Sequence, residues 1–354
     1  TIAAAGGNPD ATELKTINDG TNATIIVPSK AVALSGTAAV LAAALDGTVT
    51  DAAGDKIEGN VTISNTPTEA QLKTINDATN ASIQIPAANQ TFTGTAAVLA
   101  AALTGTVTGP LAAALSGAVS VSDGVGESVA ATLLSTIATG TGGTVTVGAA
   151  INITGTADQV VAALDTNGVV ASTATITLDD TPTVTELQTL NGKTSGAIKI
   201  ANGAITYSAN ADVLAAALDG TVTDGAGNSL TGNMTIAAAG GNPNATQLQT
   251  INNATTGTVF VPAKAVNLTG TRAVLVEALA GTVTDASNDK ITGTVTLTAA
   301  GGDPTAAQLK ILNDSIDGAI KVPDKTVQLS GTAAVLTSAL DGTVTDAAGD
   351  KIEG

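Results

Sequence analysis

The chain has 354 residues, and its formal net charge is −17 because 30 acidic residues face only 13 basic ones. This balance disfavours nucleic acids and anionic membrane surfaces as partners, since both are bound mainly through lysine and arginine. Cysteine and histidine are absent, which removes thiolates, imidazole bases and the usual zinc ligands, so we expect a protein that is not an enzyme.

The composition also favours a stacked repeat over a thick globular core. Hydrophobic residues make up 44% of the chain, yet its aromatic residues are limited to Phe92, Tyr207 and Phe260. Aromatic side chains normally supply much of the bulk of a large core. A core of small aliphatic residues is thin, as expected where each repeat contacts only its neighbours. No apolar run reaches the length of about 20 residues that a membrane span needs.

Two motifs alternate along the chain and define a repeat of about 60 residues. The first motif opens as NPDATELKTIND and the second as GTAAVLAAALDG. Copies of the first motif begin at Asn8, Thr66, Thr181, Asn242 and Asp303, with a degenerate copy, ESVAATLLSTIATG, at Glu127. Copies of the second motif begin at Gly36, Gly94, Gly155, Ala209, Gly270 and Gly331. We therefore expect six units, each made of two halves of about 30 residues.

Both motifs predict short helices. In the first motif, Asn, Thr or Asp stands before a proline, as in Asn8-Pro9, which is typical of an N-cap followed by proline at the first helical position. An apolar face follows, and then an asparagine such as Asn76, which suits a left-handed helix stop. In the second motif, Thr37 is the expected N-cap and Gly47 the expected stop.

Strands are predicted after each helix. Runs rich in β-branched residues, such as ATIIVP, end at Pro28, Pro86, Pro262 and Pro323, where proline marks a corner. A second strand-like run, such as AVALSG, follows the corner. After the second helix comes GTVTD, then a polar turn and another strand. The alternation of valine and threonine in these runs indicates one buried and one wet face.

The fold class that these elements predict is α/β: an elongated, solenoid-like repeat array of about six 60-residue units, each of two helix–strand–turn–strand halves. Residues 1–104 and 151–354 form the repeat array, and residues 105–150 form a degenerate or irregular repeat segment. One alternative stays open. The two strands of a half can form a hairpin, which advances about 9.6 Å and matches the helix spacing better than single strands about 4.8 Å apart.

Acidic turns are the candidate metal sites. They have the form TDAAGDKIEG or TDASNDKITG. The candidate ligands are Asp51, Asp55, Glu58, Asp285, Asp289, Asp346 and Asp350. Oxygen ligands in a glycine-containing turn suit Ca²⁺, although their order differs from that of an EF-hand. The alternative is a plain β-turn whose acids pair with neighbouring lysines. No other cofactor is expected.

Threonine-rich strands, such as TVTVG and TVTLT, raise the hypothesis of a second binding surface. Regularly spaced hydroxyls on a flat sheet can bind ice or a polysaccharide lattice. The plain interpretation is that threonine favours strands with a wet face.

The alternation AQLKTINDAT…SIQI…FTGTAAVLAAALTGTVT resembles the Thr/Ala/Gly-rich repeats of very large secreted or surface-attached proteins of bacteria, notably cyanobacteria. The resemblance covers the chain except residues 105–150 and carries over no functional residue. It implies a location outside the cell or on its surface. The role that it implies is structural or adhesive, in filaments, surface layers or biofilm matrix.

The function that we expect is therefore that of an extracellular structural protein. Ser35–Gly59 and Ser330–Gly354 are nearly identical, and the internal sequence GNMTIAAAGGNP indicates that the last copy would lead back to Thr1 after two further residues. This predicts end-to-end self-association into a filament, sheath or layer, with no nucleic-acid partner and no membrane span. The alternative is an adhesin or matrix protein that binds glycans or surfaces, with or without Ca²⁺.

Overall fold

The structure, a computed structural model, describes residues 1–353, so Gly354, where the second 25-residue copy ends, lies outside the described residues. The chain divides into two compact units. One unit comprises Thr1–Gly155 and Gln159–Thr175, and the other comprises Thr156–Asp158 and Ile176–Gly354. The fold is mixed α/β, with short helices and parallel sheets in each unit.

The helices have five to ten residues, and α6 continues into a π-helical segment, Ala162–Thr166. They are α1 (Ala11–Asp19), α2 (Ala38–Leu45), α3 (Glu69–Ala78), α4 (Ala96–Leu103), α5 (Ala131–Gly140), α6 (Ala157–Val161), α7 (Val184–Asn191), α8 (Ala211–Leu218), α9 (Ala245–Ala254), α10 (Arg272–Leu279), α11 (Ala306–Ser315) and α12 (Ala333–Leu340). The odd-numbered helices arise from the first sequence motif and the even-numbered helices from the second.

The predicted start of the first-motif helices is wrong. In α1 the N-cap is Asp10, so Pro9 precedes the cap instead of following it. Asp10 accepts the backbone N–H of Glu13 at 2.8 Å, and Glu13 accepts the N–H of Asp10 at 3.0 Å. This reciprocal capping box satisfies two donors that the helix leaves open. The same arrangement recurs at Thr68, Thr183, Asn244 and Thr305.

The ends predicted for the second-motif helix α2 are confirmed. Thr37 caps α2 by accepting the N–H of Val40 at 3.4 Å. Gly47, just beyond the C-cap Asp46, has a φ of 119°, a conformation that glycine adopts without strain. Gly105, Gly220 and Gly342 also have positive φ after their helices.

The strands are short, with two to four residues each. In the first unit they are β1 (Ile25–Ile26), β2 (Leu34–Gly36), β3 (Val49–Thr50), β4 (Val61–Ile63), β5 (Ile83–Gln84), β6 (Phe92–Gly94), β7 (Val107–Thr108), β8 (Val119–Val121), β9 (Ser128–Ala130), β10 (Val145–Val147) and β11 (Asn152–Gly155). The remaining strands are β12 (Thr175–Leu178), β13 (Ile198–Ile200), β14 (Tyr207–Ala209), β15 (Val222–Asp224), β16 (Met234–Ile236), β17 (Val259–Val261), β18 (Leu268–Gly270), β19 (Val283–Asp285), β20 (Val295–Leu297), β21 (Ile320–Val322) and β22 (Val344–Asp346).

Strands pair in parallel with strands about 25 residues away, not with the other strand of the same half. The order β2-β4-β5-β7 illustrates the pattern, and β14-β16-β17-β19 and β18-β20-β21-β22 repeat it. Within residues 1–353, every pairing of these strands that the structure describes is parallel, and antiparallel contacts are isolated bridges such as Thr50 with Lys56. The hairpin arrangement that the sequence left open is therefore not the one adopted.

The core lies between the sheets and the helices. In β4, Val61 and Ile63 are buried while Thr62 between them is exposed, as the alternating pattern predicts. Leu72 and Ile75 of α3 are fully buried on the helix side. Helices consecutive in the chain, such as α1 with α2 and α11 with α12, pack against each other.

The irregular segment keeps part of the repeat. Thr108 and Ala114 form an antiparallel bridge at the position where Thr50 and Lys56 do so in the first repeat. The sequence GPLAAALSG thus occupies the place of the acidic turn. Its tip is unusual, because Leu111 and Ala112 have φ values of 56° and 58°, and Leu111 is 98% exposed.

Candidate functional site

The first aspartate of each acidic turn shapes the backbone of the turn. Asp51 Oδ1 accepts the N–H of Ala53 at 2.8 Å and that of Asp55 at 3.0 Å. Asp285 and Asp346 make the same two contacts in their turns. Such side-chain contacts stabilise a turn without any ion.

The other turn acids face a lysine from the preceding corner. Lys30 Nζ lies 3.4 Å from Asp55 and 3.1 Å from Glu58, and these two carboxylates raise the pKa of Lys30, with the hydrogen bond to Glu58 as the larger cause. Lys264 pairs with Asp289 at 2.9 Å, and that hydrogen bond raises the pKa of Lys264. These pairs are exposed, so each stabilises the fold only slightly.

The structure therefore brings together only part of the predicted ligand set. Asp55 and Glu58 meet at Lys30, whereas Asp51, Asp285 and Asp346 bind backbone amides in separate turns. Asp350 contributes its backbone N–H to Asp346. Within residues 1–353, no three His, Cys, Asp or Glu side chains are placed to hold a metal ion. Calcium binding remains a hypothesis for these turns.

The sequence alternative paired the turn acids with neighbouring lysines, but the lysines that pair with them, Lys30, Lys264 and Lys325, lie 25 or 28 residues earlier. Sequence reasoning also missed a row of asparagines. Asn76 Nδ2 donates to the carbonyls of Ala101 at 2.7 Å and of Thr104 at 2.5 Å, at the C-terminal end of the next helix, α4. The same contacts link α1 to α2, α7 to α8 and α11 to α12, and Asn252 makes one of them to α10. These asparagines are helical, so the predicted left-handed stop is wrong.

A signal for this row is present in the sequence. Each of these asparagines is followed about 30 residues later by a glycine, beginning with Asn18 and Gly47. A Cβ on Gly47 would lie 3.3 Å from Asn18 Oδ1, so the asparagine packs directly over the glycine. The spacing between asparagine and glycine is constant because the asparagine of one helix binds the C-terminal end of the next helix.

A carboxyl pair links α6 and α7. Asp158 hydrogen-bonds Glu186, and this contact, followed by the charge of Glu186, raises the pKa of Asp158. Burial alone would raise the pKa of Glu186, but hydrogen bonds from Thr183 and Asp158 lower it. Glu186 also belongs to the capping box of α7. Asp212 and Gln247 meet at the equivalent position between α8 and α9, so this contact between helices follows the repeat.

The outward rows of the sheets mix polar and apolar side chains. In one row Ser35, Thr62, Gln84 and Thr108 lie side by side on adjacent strands. A second row contains Ser208, Thr235 and Phe260, and it ends at Thr284, which is buried. A glutamine or a phenylalanine interrupts each row, so these rows do not form the uniform hydroxyl lattice that ice or glycan binding would favour.

Apolar side chains are exposed at two places where other repeats bury them. Leu340 of α12 is 46% exposed, whereas the equivalent Leu279 is fully buried. Ile17 of α1 is 39% exposed, whereas the equivalent Ile251 is fully buried. A groove of about 430 Å³ beside Ile17 is also lined by Ile2, Gly6 and Pro9.

Comparison with known protein families finds no family model that matches the chain, and comparison with curated proteins finds no match. Within residues 1–353, the structure contains no helix with the length and apolar character that a bilayer span requires.

Proposed function

We propose that this chain is an extracellular structural protein in which the stacked repeat is the functional element. Its halves form a solenoid-like array, and the array serves as a building block of a bacterial surface filament, sheath or layer through end-to-end continuation of the stack. The observation that carries the proposal is the repeated asparagine contact between consecutive helices. The same interface is built again and again from the same residues.

Three further observations support this proposal. Strands pair about 25 residues apart in the same register at each repeat, so each half is a template for the next. Lys30, Asp158 and Glu186, whose pKa values are shifted, lie at turns and helix starts that follow the repeat. The resemblance to repeats of large bacterial surface proteins agrees with the small share of charged residues, 12%, and with the lack of oxidisable cysteine.

The proposal is tested by electron microscopy and sedimentation of the purified chain over a wide concentration range. We expect linear assemblies whose length grows with concentration, because an interface between unlike faces does not close on itself unless the rotation closes a ring. Dispersed monomers at every concentration would contradict end-to-end assembly.

The alternative is an adhesin or matrix protein that uses its turns or sheet rows to bind glycans or surfaces. Calcium binding to the folded state would raise the melting temperature in proportion to its affinity. We expect no shift with millimolar Ca²⁺, because the first aspartate of each turn already accepts two backbone N–H groups. A shift that disappears in Asp51→Asn, or selective binding on a glycan array, would favour the adhesin.

A further inference from the structure

We propose that the groove between the C-terminal ends of α8 and α9, which contains Asp219, Ser229 and Asn253, binds the primary ammonium group of a small amine. In the groove, Ser229 stands where other repeats carry a lysine. This inference goes beyond the proposed function and does not depend on it, because a stacked array needs no such ligand.

The groove is polar, and its volume is about 340 Å³, within the range of small-molecule sites. Its lining residues are 218–223, Ser229, Thr250, Asn253 and Ala254. None of these lining residues is a lysine or an arginine, and Asp219 brings a carboxylate. Lys199 pairs with Thr223 in the sheet but is not among the lining residues. The groove therefore presents acceptors and negative charge to the solvent.

Two helices end at this groove and add to its negative potential. α8 ends at Leu218, and α9 ends at Ala254. The last carbonyls of a helix lack partners within the helix and carry a partial charge of about −0.5, which favours cations. The carbonyl of Asn253 lies in the last turn of α9, where no N–H of the helix reaches it.

Other repeats place a lysine at this position of the turn. The first repeat reads TDAAGDKI, with Lys56 at the position of Ser229 in TDGAGNSL, and the fifth repeat has Lys290 there. Lys56 Nζ donates to the carbonyl of Asp77 at 2.6 Å, in the last turn of α3. Asp77 corresponds to Asn253 in the repeat. Because a serine side chain is too short for this contact, the carbonyl of Asn253 is left for another donor.

A primary ammonium group matches the groove in charge and in hydrogen bonding. It is a compact cation with three N–H donors. The carboxylate of Asp219, the carbonyl of Asn253 and the hydroxyl groups of Ser229 and Thr250 are acceptors for these donors. Hydrogen bonds from an ammonium group to a carboxylate are stronger than those between neutral groups. The ligand class is therefore an amine on a short carbon frame, either an aliphatic amine or an amino sugar.

The second repeat provides an internal comparison. Its turn has Ala114 at the lysine position, since Ala114 bridges to Thr108 as Lys56 does to Thr50. At the end of α4, however, Thr104 stands where α8 is followed by Asp219. The fourth repeat thus loses the lysine but keeps the carboxylate, and this combination attracts an external cation.

The first experiment titrates the chain with n-butylammonium chloride, whose cation has the four-carbon stem and the ammonium group of lysine. We expect saturable NMR shifts of the backbone amides of Gly220, Ser229 and Ala254, with millimolar affinity. Tetramethylammonium chloride has the same charge but no N–H donor, and we expect at least about tenfold weaker binding. Equal shifts with the two salts would overturn the inference, because they would reflect screening alone.

Two variants of the turn test where the amine binds. Ser229→Lys supplies the ammonium group of the other repeats, so we expect it to abolish n-butylammonium binding and to raise the melting temperature. Ala226→Lys adds the same charge at an exposed position of the same turn that does not line the groove, and we expect binding within about twofold of wild type. Circular dichroism checks that both are folded. Unchanged binding to Ser229→Lys would place the site elsewhere and contradict the inference.

A third variant tests whether loss of the lysine creates the site. Lys56→Ser leaves the carbonyl of Asp77 without its lysine donor, and Asp46 follows α2 as Asp219 follows α8. We expect a second n-butylammonium site in this variant, and we expect the amine to recover melting temperature lost on substitution. If calorimetry still gives one site per chain, the argument from the lysine position is wrong.

Putrescine and glucosamine separate the two sources of the amine. Tighter binding of putrescine identifies an aliphatic amine, and tighter binding of glucosamine identifies an amino sugar. N-acetylglucosamine has an uncharged amide in place of the ammonium group, so we expect no saturable binding. Binding as tight as that of glucosamine would contradict recognition of an ammonium group. If none of these amines binds, the inference fails while the proposed structural role is unaffected.

Discussion

At the scale of single residues, the tip of the irregular turn is a point of backbone strain. Ala112 has a φ of 58°, at the position where Gly54, Gly227 and Gly349 have φ values of 87°, 87° and 95°. A left-handed conformation costs an alanine about 1–2 kcal/mol. We expect Ala112→Gly to raise the free energy of unfolding by about 1 kcal/mol, as measured by chemical denaturation.

The neighbouring Ala113 provides the control for this substitution. Its φ is −63°, so glycine brings no relief there and adds conformational entropy to the unfolded chain. We expect Ala113→Gly to lower the free energy of unfolding. Equal effects of the two substitutions would show that strain at Ala112 is not the cause.

Tyr207 gives the fold a defined response to alkaline pH. Burial raises the pKa of Tyr207 well above its ordinary value near 10, and the charge of Glu186 adds to the rise. The unfolded chain ionises near pH 10 and the folded chain does not. Stability from this group is therefore intact below pH 10, and it falls as the pH rises above that value.

This response is measurable because Tyr207 is the sole tyrosine and the chain has no tryptophan. We expect phenolate absorbance to appear together with unfolding and not before it. Tyr207→Phe keeps the ring in the core, loses the hydrogen bond to the carbonyl of Pro182 at 3.2 Å, and removes this part of the alkaline destabilisation. Phenolate absorbance that develops in the fully folded protein would contradict the assignment.

Sequence reasoning placed some caps correctly and others two residues too early, for a physical reason. Thr37 has one plausible role, because a helix follows it directly. At Asn8-Pro9-Asp10 two residues can cap, and a proline without an N–H fits either before the cap or at the first helical position. The deciding contact is the one between Asp10 and Glu13, three residues apart, which is the capping-box spacing.

At the scale of helices and strands, the asparagine row holds consecutive helices together. Asn76 satisfies two carbonyls at the end of α4 that have no partner inside that helix. Replacing Asn76 with alanine leaves these two carbonyls without their donor and opens a small gap. We expect Asn76→Ala to lower the free energy of unfolding by about 1–3 kcal/mol, measured by denaturation.

Asn76→Asp is the matched variant, because it has the same shape but no donor. At neutral pH its carboxylate faces two carbonyl oxygens, so we expect Asn76→Asp to lower the free energy of unfolding more than Asn76→Ala does. Protonation at acidic pH restores one donor and should recover part of the stability relative to Asn76→Ala. A loss that is the same in both variants at every pH would assign the effect to packing alone.

The acidic turns were predicted as turns from composition, but their partners were not. The spacing of aspartate and glycine identifies the turn, since Gly54 takes the left-handed position. Lys30 lies far from Glu58 in the sequence and meets it only because adjacent parallel strands place the corner beside the turn. Strand pairing of this kind follows from the register between halves, which the sequence pattern alone leaves undetermined.

At the scale of the whole chain, the mixed α/β class follows from the sequence because helix caps, glycine stops and two-residue alternation all agree. The sequence did not decide whether the two strands of a half pair with each other, since both arrangements satisfy the same hydrophobic pattern. Parallel pairing buries Val61 and Ile63 beside the equivalent residues of neighbouring halves. That pairing is what gives the repeat its regular interface.

Net charge sets the conditions under which copies of the chain can associate. Each copy carries −17, so two copies repel, while exposed apolar side chains such as Ile17 and Leu340 favour contact. Salt shortens the Debye length from about 30 Å at 0.01 M to about 10 Å at 0.1 M, and it weakens repulsion without weakening apolar contact. We therefore expect sedimentation to show tighter association as NaCl rises, and also as the pH falls towards the isoelectric point near 4.1. Weaker association at high salt would instead indicate an interface held by ion pairs.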